Sequence, residues 1–366
     1  MGCAASSNSG GTVINSNPAA SAPPYYGPKV EYRFVNTEVS MTGKMFALKQ
    51  GDQLTSSDMD SFYPLLSAPM AEGFHMVCYR NVPGQVQTQM MSTTVKLPYQ
   101  AIYMKKESEP ENTYTLLIER SSIQPTQIRH GLIPLFGNTS TEVNTETNHL
   151  LSSIMTHSQN GGRFVTLCAS GNSVSSGYMN QMSGKSPVSG VDLFFEIPNM
   201  SRGKFVYQTI PVPVQISMKI QGLGNPQTIV NCDWLGNFHG PLSQGWKMVN
   251  IFFDMSSSMN MQQGLMSMQA GINLNTIWFF EKPEDQMNDN TQKYEGTMVE
   301  FIYDVGRSGL FNIKSNLAWE GKITEMGQQG WELVCIIDYP GLVGGGGAFS
   351  KPTLKLLMFF QRELQH

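Results

Sequence analysis

The sequence predicts an α+β fold: four tandem β-α-β-β repeats, paired into two lobes of antiparallel sheet with helices on one face. Three observations predict it. First, a glycine and an aromatic open an apolar run at Gly73-Phe74-His75-Met76-Val77-Cys78, Gly245-Trp246-Lys247-Met248-Val249-Asn250 and Gly330-Trp331-Glu332-Leu333-Val334-Cys335, with a looser copy at Gly162-Arg163-Phe164. The aromatics at 74, 164, 246 and 331 stand 82 to 90 residues apart, a spacing that marks a recurring supersecondary unit. Second, a segment with helical spacing precedes each mark, as in Leu150, Leu151, Ile154, Met155 or Leu317, Ile323, Met326. Third, a second apolar run follows each mark after a loop, ending at Lys105-Lys106, Glu196, Glu281-Lys282 and Gln361-Arg362.

Each unit opens on an alternating strand, beginning near Val30, Tyr114, Phe205 and Met298. Boundaries follow at 29–110, 111–202, 203–292 and 293–366, behind a leader over 1–28. Gly73, Gly245 and Gly330 are expected as left-handed helix C-caps. The aromatic behind each is then the first inward residue of a strand, and residues two and four further on share its face. Cys78, Asn250 and Cys335 take the last of these places, and the cysteines read as small buried apolar residues. Pro64 and Pro69 in the first unit, and Gly236, Gly240 and Pro241 in the third, predict short or kinked helices there. One small unit leaves an apolar sheet face uncovered, so pairing of units is expected.

Composition narrows the function. The 366 residues carry a net charge of −4, which gives no broad attraction to nucleic acid or anionic lipid. Five cysteines, widely spaced and odd in number, fit a reducing compartment better than a disulfide scaffold. No run approaches the roughly 18 apolar residues of a spanning helix, and a signal peptide is not expected.

The sharpest motif is Met1-Gly2-Cys3-Ala4-Ala5-Ser6, which fits N-myristoylation of Gly2 with palmitoylation of the adjacent Cys3. One myristoyl chain binds membranes only marginally, at about 10⁴ M⁻¹, so stable anchoring needs a second signal. A basic patch could supply it, but Lys29 is the first cation in the chain. Palmitate on Cys3 is the second signal left in the leader. The rest of that leader is rich in Ser, Asn, Gly, Ala and Pro and reads as a disordered tether.

Other candidate chemistry reads as structure. His75 and Cys78, three apart on a strand, should point to opposite faces, so no shared metal is expected. Gly184-Lys185-Ser186 lacks the glycine and buried strand of a phosphate-binding loop. Gly344-Gly345-Gly346-Gly347 reads as a hairpin connection. Methionines at 90, 91, 179, 182, 255, 259, 261, 266 and 268 fall in expected loops, and a mobile solvated loop is preferred there over an apolar contact surface. No catalytic, cofactor or metal site is expected.

With these segments placed, the chain resembles the raftlin family. The resemblance rests on Met1-Gly2-Cys3, Glu31-Tyr32-Arg33-Phe34, Gly73-Phe74, Leu132-Ile133-Pro134, Asp233-Trp234-Leu235, Gly245-Trp246-Lys247-Met248-Val249-Asn250, Gly330-Trp331-Glu332-Leu333-Val334-Cys335 and Phe359-Phe360-Gln361-Arg362. It implies acylation at Gly2 and Cys3 and a place in cholesterol-rich domains at the cytoplasmic face of the plasma membrane. It also implies a non-enzymatic scaffold that organises rafts for receptor signalling and ligand uptake. Its partners would be membrane lipids and raft-associated receptors or signalling proteins. The chain departs from long family members in the short stretch between Ala169 and Gly190. Two other readings remain open: a tethered module binding a ligand or peptide in a groove between repeats, and a tethered enzyme with ionisable residues clustered in a cleft.

Overall fold

The computed structural model describes residues 25–43, 53–88, 94–109, 112–130, 138–175, 188–200, 203–221, 227–263, 267–308, 312–315, 317–341, 343 and 353–364. The chain opens with β1 (Val30–Gly43) and β2 (Gln53–Ser57), then two one-turn helices, α1 (Tyr63–Leu66) and α2 (Ala68–Ala71). It returns through β3 (His75–Asn81), β4 (Gln87–Thr88) and β5 (Thr94–Lys106). Next come β6 (Tyr114–Ile123), β7 (Pro125–His130), β8 (Asn138–Thr145), α3 (Asn148–Gln159), β9 (Arg163–Ser175) and β10 (Val188–Pro198). Then β11 (Phe205–Gln221), β12 (Gln227–Asn231), α4 (Trp234–Leu242), β13 (Lys247–Gln263) and β14 (Ser267–Pro283) follow. The last group is β15 (Tyr294–Ser308), β16 (Asn312–Ser315), α5 (Glu320–Gly327), β17 (Glu332–Asp338) and β18 (Thr353–Glu363).

This corrects the expected fold class. The molecule is mostly antiparallel sheet, not an α+β array of β-α-β-β repeats in two lobes. Its strands form three sheets, β3-β5-β1-β2-β9-β10-β6 with β4 beside β5, β12-β11-β14-β13-β8-β7, and β16-β15-β18-β17, of which the first two cross the expected unit boundaries. Thus β7 and β8 pair into the sheet of the following segment, through β8 against β13. Helices are a minor layer. Pro64 and Pro69 sit in the first turns of α1 and α2, each four residues long, because proline removes a donor that a longer helix needs. The α4 helix survives its two glycines through an N-cap, with the Asp233 side chain accepting the Gly236 N–H at 2.9 Å.

What recurs is smaller than the predicted unit. Gly73, Gly245 and Gly330 hold φ of +87°, +78° and +75°, and each leads into one of the hairpins β3–β5, β13–β14 and β17–β18. In the remaining hairpin, β9–β10, the left-handed residue is Gly161 rather than Gly162. Strand β3 packs beside β9, β9 beside β13, β13 beside β17, and β17 beside β3, so the four hairpins close a ring around one axis. Four apolar clusters fill the four junctions of that ring, with Phe194, Phe279, Phe359 and Ile102 fully buried among them. Because the strands are buried on both faces, they read as continuous apolar runs rather than alternating ones.

Each first strand of a hairpin carries a bulge near its start. Register shifts fall between Met76 and Cys78, Met248 and Asn250, and Leu333 and Cys335, and opposite Phe194 and Phe195 in β9. The extra residue is a valine every time: Val77, Val165, Val249 and Val334. A bulge bends its strand and steepens the local twist, which lets four strand starts converge on the axis.

Candidate functional site

The starts of the four hairpins surround a cavity of about 50 Å³ lined by all four bulge valines and, outside them, by a belt of charged side chains. The belt is built from one position per strand. On the first strands it uses His75, Arg163, Lys247 and Glu332, each beside the aromatic that opens the run. On the partner strands it uses the paired residues Met104, Glu196, Glu281 and Gln361.

Ion pairs join each hairpin to the next. His75 Nδ1 lies 2.9 Å from Glu196, linking the first to the second. Arg163 lies 2.5 Å from Glu281, linking the second to the third, and also 3.2 Å from Glu196. Lys247 lies 2.6 Å from Glu332, linking the third to the fourth. Lys106 Nζ approaches Glu332 Oε1 at 2.5 Å and closes the circle, as an ion-pair contact without hydrogen-bond alignment. His75 Nε2 also meets Glu109 at 2.9 Å.

These groups are taken out of water: Glu281 and Glu332 are 1% exposed, Glu196 3% and His75 4%. Burial alone would discharge them. For His75, burial pulls the imidazole down, but Glu196 and Glu109 outweigh it and hold it above its ordinary value. For Glu196, burial pushes up, and His75 and Arg163 overcome it to leave the carboxyl below the ordinary range. Glu332 is held down at about 2 by Lys247 and Lys106 against the opposing effect of burial.

The backbone groups freed by the bulges also find side chains. Gln361 accepts the Met248 N–H at 3.0 Å and donates to the Met248 carbonyl at 2.9 Å. Tyr32 accepts the Leu333 N–H at 2.5 Å and donates to the Trp331 carbonyl at 2.8 Å. Tyr207 accepts the Phe164 N–H at 2.8 Å. Below the valines, Asn250 donates to Thr166 at 2.9 Å.

A second set of cations sits one residue further along the partner strands. Lys105, Lys282 and Arg362 donate to the carbonyls of Glu72, Gln244 and Gln329, just before the left-handed glycines. They lie over the rings of Phe74, Trp246 and Trp331 at 5.8, 5.0 and 4.3 Å. This is favourable both for the helix C-terminus and for the aromatic face.

The predicted positions fare unevenly. Gly2 and Cys3 lie outside the described residues, as do Met90, Met91, Met179, Met182, Met266, Gly184-Lys185-Ser186 and Gly344 to Gly347. Met255, Met259, Met261 and Met268 belong to strands β13 and β14 rather than a loop. Met255 is 45% exposed and holds φ +65° within a second bulge of β13. The opposite-face reading of His75 and Cys78 is corrected: they pair with Met104 and Ile102, so the bulge puts them on the same face. Among the described residues no group of His, Cys, Asp and Glu is placed to hold a metal. Cys78, Cys168 and Cys335 are buried, and burial pushes the Cys78 thiol up to about 12 and that of Cys232 to about 11. Such thiols are poor nucleophiles at neutral pH.

Among the described residues no helix is long and apolar enough to cross a membrane. Comparison of the chain with protein-family models, with curated proteins and with solved structures finds no match.

Proposed function

We propose that the chain is a non-enzymatic scaffold of cholesterol-rich membrane domains, anchored at the cytoplasmic face by myristate on Gly2 and palmitate on Cys3. Its body organises receptors and signalling proteins for signalling and uptake. The observation that carries the scaffold part is the charge belt: its buried ions are matched against one another between hairpins, an arrangement suited to holding a shape. The cavity they surround, about 50 Å³, falls well below the roughly 300–1,000 Å³ of small-molecule pockets, which weakens the groove-binding alternative. The anchoring part rests on Met1-Gly2-Cys3 and the cation-free stretch before Lys29, together with the family resemblance drawn from sequence.

The test is membrane fractionation of the full chain in cells. Gly2→Ala removes the acceptor amine and should move the protein from the membrane pellet to the supernatant. Cys3→Ser should leave the weak binding of one chain, on the order of 10⁴ M⁻¹. A Gly2→Ala protein that stays in the pellet would overturn the anchoring.

A further inference from the structure

We propose that the turn at Gly161, at the C-terminal end of α3, is a docking point for a basic side chain, a lysine or arginine carried by a partner protein. The inference names the chemistry of a partner for the scaffold proposed above and in that respect rests on it.

The other three hairpins supply the template. In each, the residue before the left-handed glycine offers its carbonyl to a cation from the second strand. Lys105 donates to Glu72 at 3.1 Å, Lys282 to Gln244 at 2.8 Å and Arg362 to Gln329 at 3.0 Å. The residue after the glycine is an aromatic, Phe74, Trp246 or Trp331, and the same cation lies over its ring. A further segment of the chain covers each glycine, through Asn112, Thr291 and Tyr25.

The second hairpin keeps this backbone and lacks the side chains. The Gly161 N–H donates to the Ser158 carbonyl at 3.0 Å and the Gly162 N–H to the His157 carbonyl at 2.9 Å. Gly73 and Phe74 donate in the same way to Met70 and Pro69, so Gly162 stands where the aromatic stands elsewhere. Glu196 pairs with Arg163, which puts Ile197 in the place of the cation, with its Cδ1 beside Gly162. An isoleucine cannot donate to the Asn160 carbonyl. Among the described residues nothing lies within 4 Å of where a Cβ on Gly161 would be, and Gln159 and Asn160 are exposed.

Charge complementarity selects the occupant. The α3 helix runs 12 residues without a Lys or Arg, and a helix C-terminus carries about −0.5 of an elementary charge. The basic group of its last turn, His157, is drawn to Glu119 on the flank at 2.6 Å. The three resident cations show which side chain this turn geometry accepts. Each reaches its carbonyl on a stem rooted in a neighbouring strand, and such preorganisation favours a protein side chain over a free amine.

The experiment titrates the full chain with an end-blocked peptide of alternating Gly, Ser and Arg, and with its citrulline counterpart, which keeps the shape and loses the charge. The readouts are the δ1-methyl NMR signal of Ile197 and hydrogen exchange at 159–162. The arginine peptide should shift that methyl, slow exchange at 159–162 and bind about fivefold tighter than the citrulline peptide, the value of a cation at a helix C-terminus. Ile197→Lys supplies the missing cation from within and should weaken the arginine peptide about fivefold, with no loss in the unfolding midpoint. Should that variant fail to fold, the readouts on the unaltered chain decide. Equal binding of the two peptides, or changes that spare both Ile197 and 159–162, overturns the docking point. Arg202 lies outside the described residues, and Arg202→Ala should bind the peptide as the unaltered chain does. Tighter binding to Arg202→Ala would mean that Arg202 takes the place itself, and overturns the partner. Spermidine binding as tightly as the peptide would overturn the protein partner in favour of a small amine. All these readouts are taken in solution, so their failure is distinct from failure of the anchoring.

Discussion

Glu332 sits between two lysines, whereas His75 sits between two glutamates. Both are buried, and both join the first hairpin to a neighbour, on opposite sides of the ring. The polarity is inverted, and so is the dependence on pH. A carboxyl held at about 2 stays ionised at any pH a cell offers, so the Lys106–Glu332–Lys247 junction is permanent. The imidazole between Glu196 and Glu109 is charged only up to its own raised value. A ring closed by similar ion pairs thus has one conditional clasp.

Breaking the permanent junction should have the largest effect. Glu332→Gln keeps the shape of the side chain and leaves Lys106 and Lys247 facing an amide in a poorly hydrated site. Removing one partner from a buried pair costs about 3–5 kcal/mol, readable as a lowered denaturant midpoint at neutral pH. A loss under about 1 kcal/mol, the value of an exposed pair, would show that this junction does not hold the ring. The sign in acid follows from the depressed carboxyl. Its contribution is full above the unfolded value near 4.3 and is lost as pH falls through about 2.

The conditional clasp answers to the opposite direction of pH. The groups facing His75 are Glu196 on β10, Glu109 after β5, the Tyr114 ring on β6 at 4.3 Å, and Arg163 on β9 through Glu196. Because His75 is raised above its ordinary 6.5, its contribution is full below that pH. It is lost as pH climbs through the raised value. His75→Gln should cost about 1.5–3 kcal/mol at pH 6, the range for hydrogen bonds to charged groups, and less at pH 9. Unfolding of both proteins at the two pH values measures the narrowing. A gap that stays constant would mean that His75 is neutral throughout and the comparison fails.

How much of this was legible in the sequence depends on the length of the signal. Gly73, Gly245 and Gly330 announced their turns because only glycine adopts φ near +80° without strain, and the aromatic behind each marked a buried strand start. Helical spacing before each turn predicts a full helical layer, but Pro64 and Pro69 leave single turns, so sheet dominates instead. Gln227–Asn231 is too short for a period to show, and the far half of β13 is dominated by Ser, Met, Asn and Gln, whereas the far half of β14 does alternate Met268, Ala270, Ile272 and Leu274 against Gln269, Gly271, Asn273 and Asn275. The belt has a signal in the sequence: a charged or titratable residue beside the aromatic or at the end of the run in every hairpin, at His75, Arg163, Lys247 and Glu332, then Glu196 and Glu281. Charges flanking wholly apolar runs are poor candidates for solvent, and their signs already match. The same face shared by His75 and Cys78 was not readable, since one bulged residue flips the alternation and no residue type marks it.

The smallest expected effect separates the two sides of the ring at their turns. Gly161, before the second hairpin, holds φ +86° with open space where a Cβ would go; Gly330, beside the permanent junction, holds φ +75° under the Tyr25 ring. Gly161→Ala therefore adds left-handed strain alone, about 1 kcal/mol. Gly330→Ala adds the same strain and must also displace Tyr25, for a total nearer about 2 kcal/mol. The difference between the two variants, read from unfolding midpoints, isolates the Tyr25 contact from the backbone effect common to both. Equal losses would mean that Tyr25 does not rest on that turn. The chain would then leave the body at a point not set by the Lys106–Glu332 junction. The double change with Tyr25→Ala decides it, because without the ring the cost at Gly330 should fall to that at Gly161.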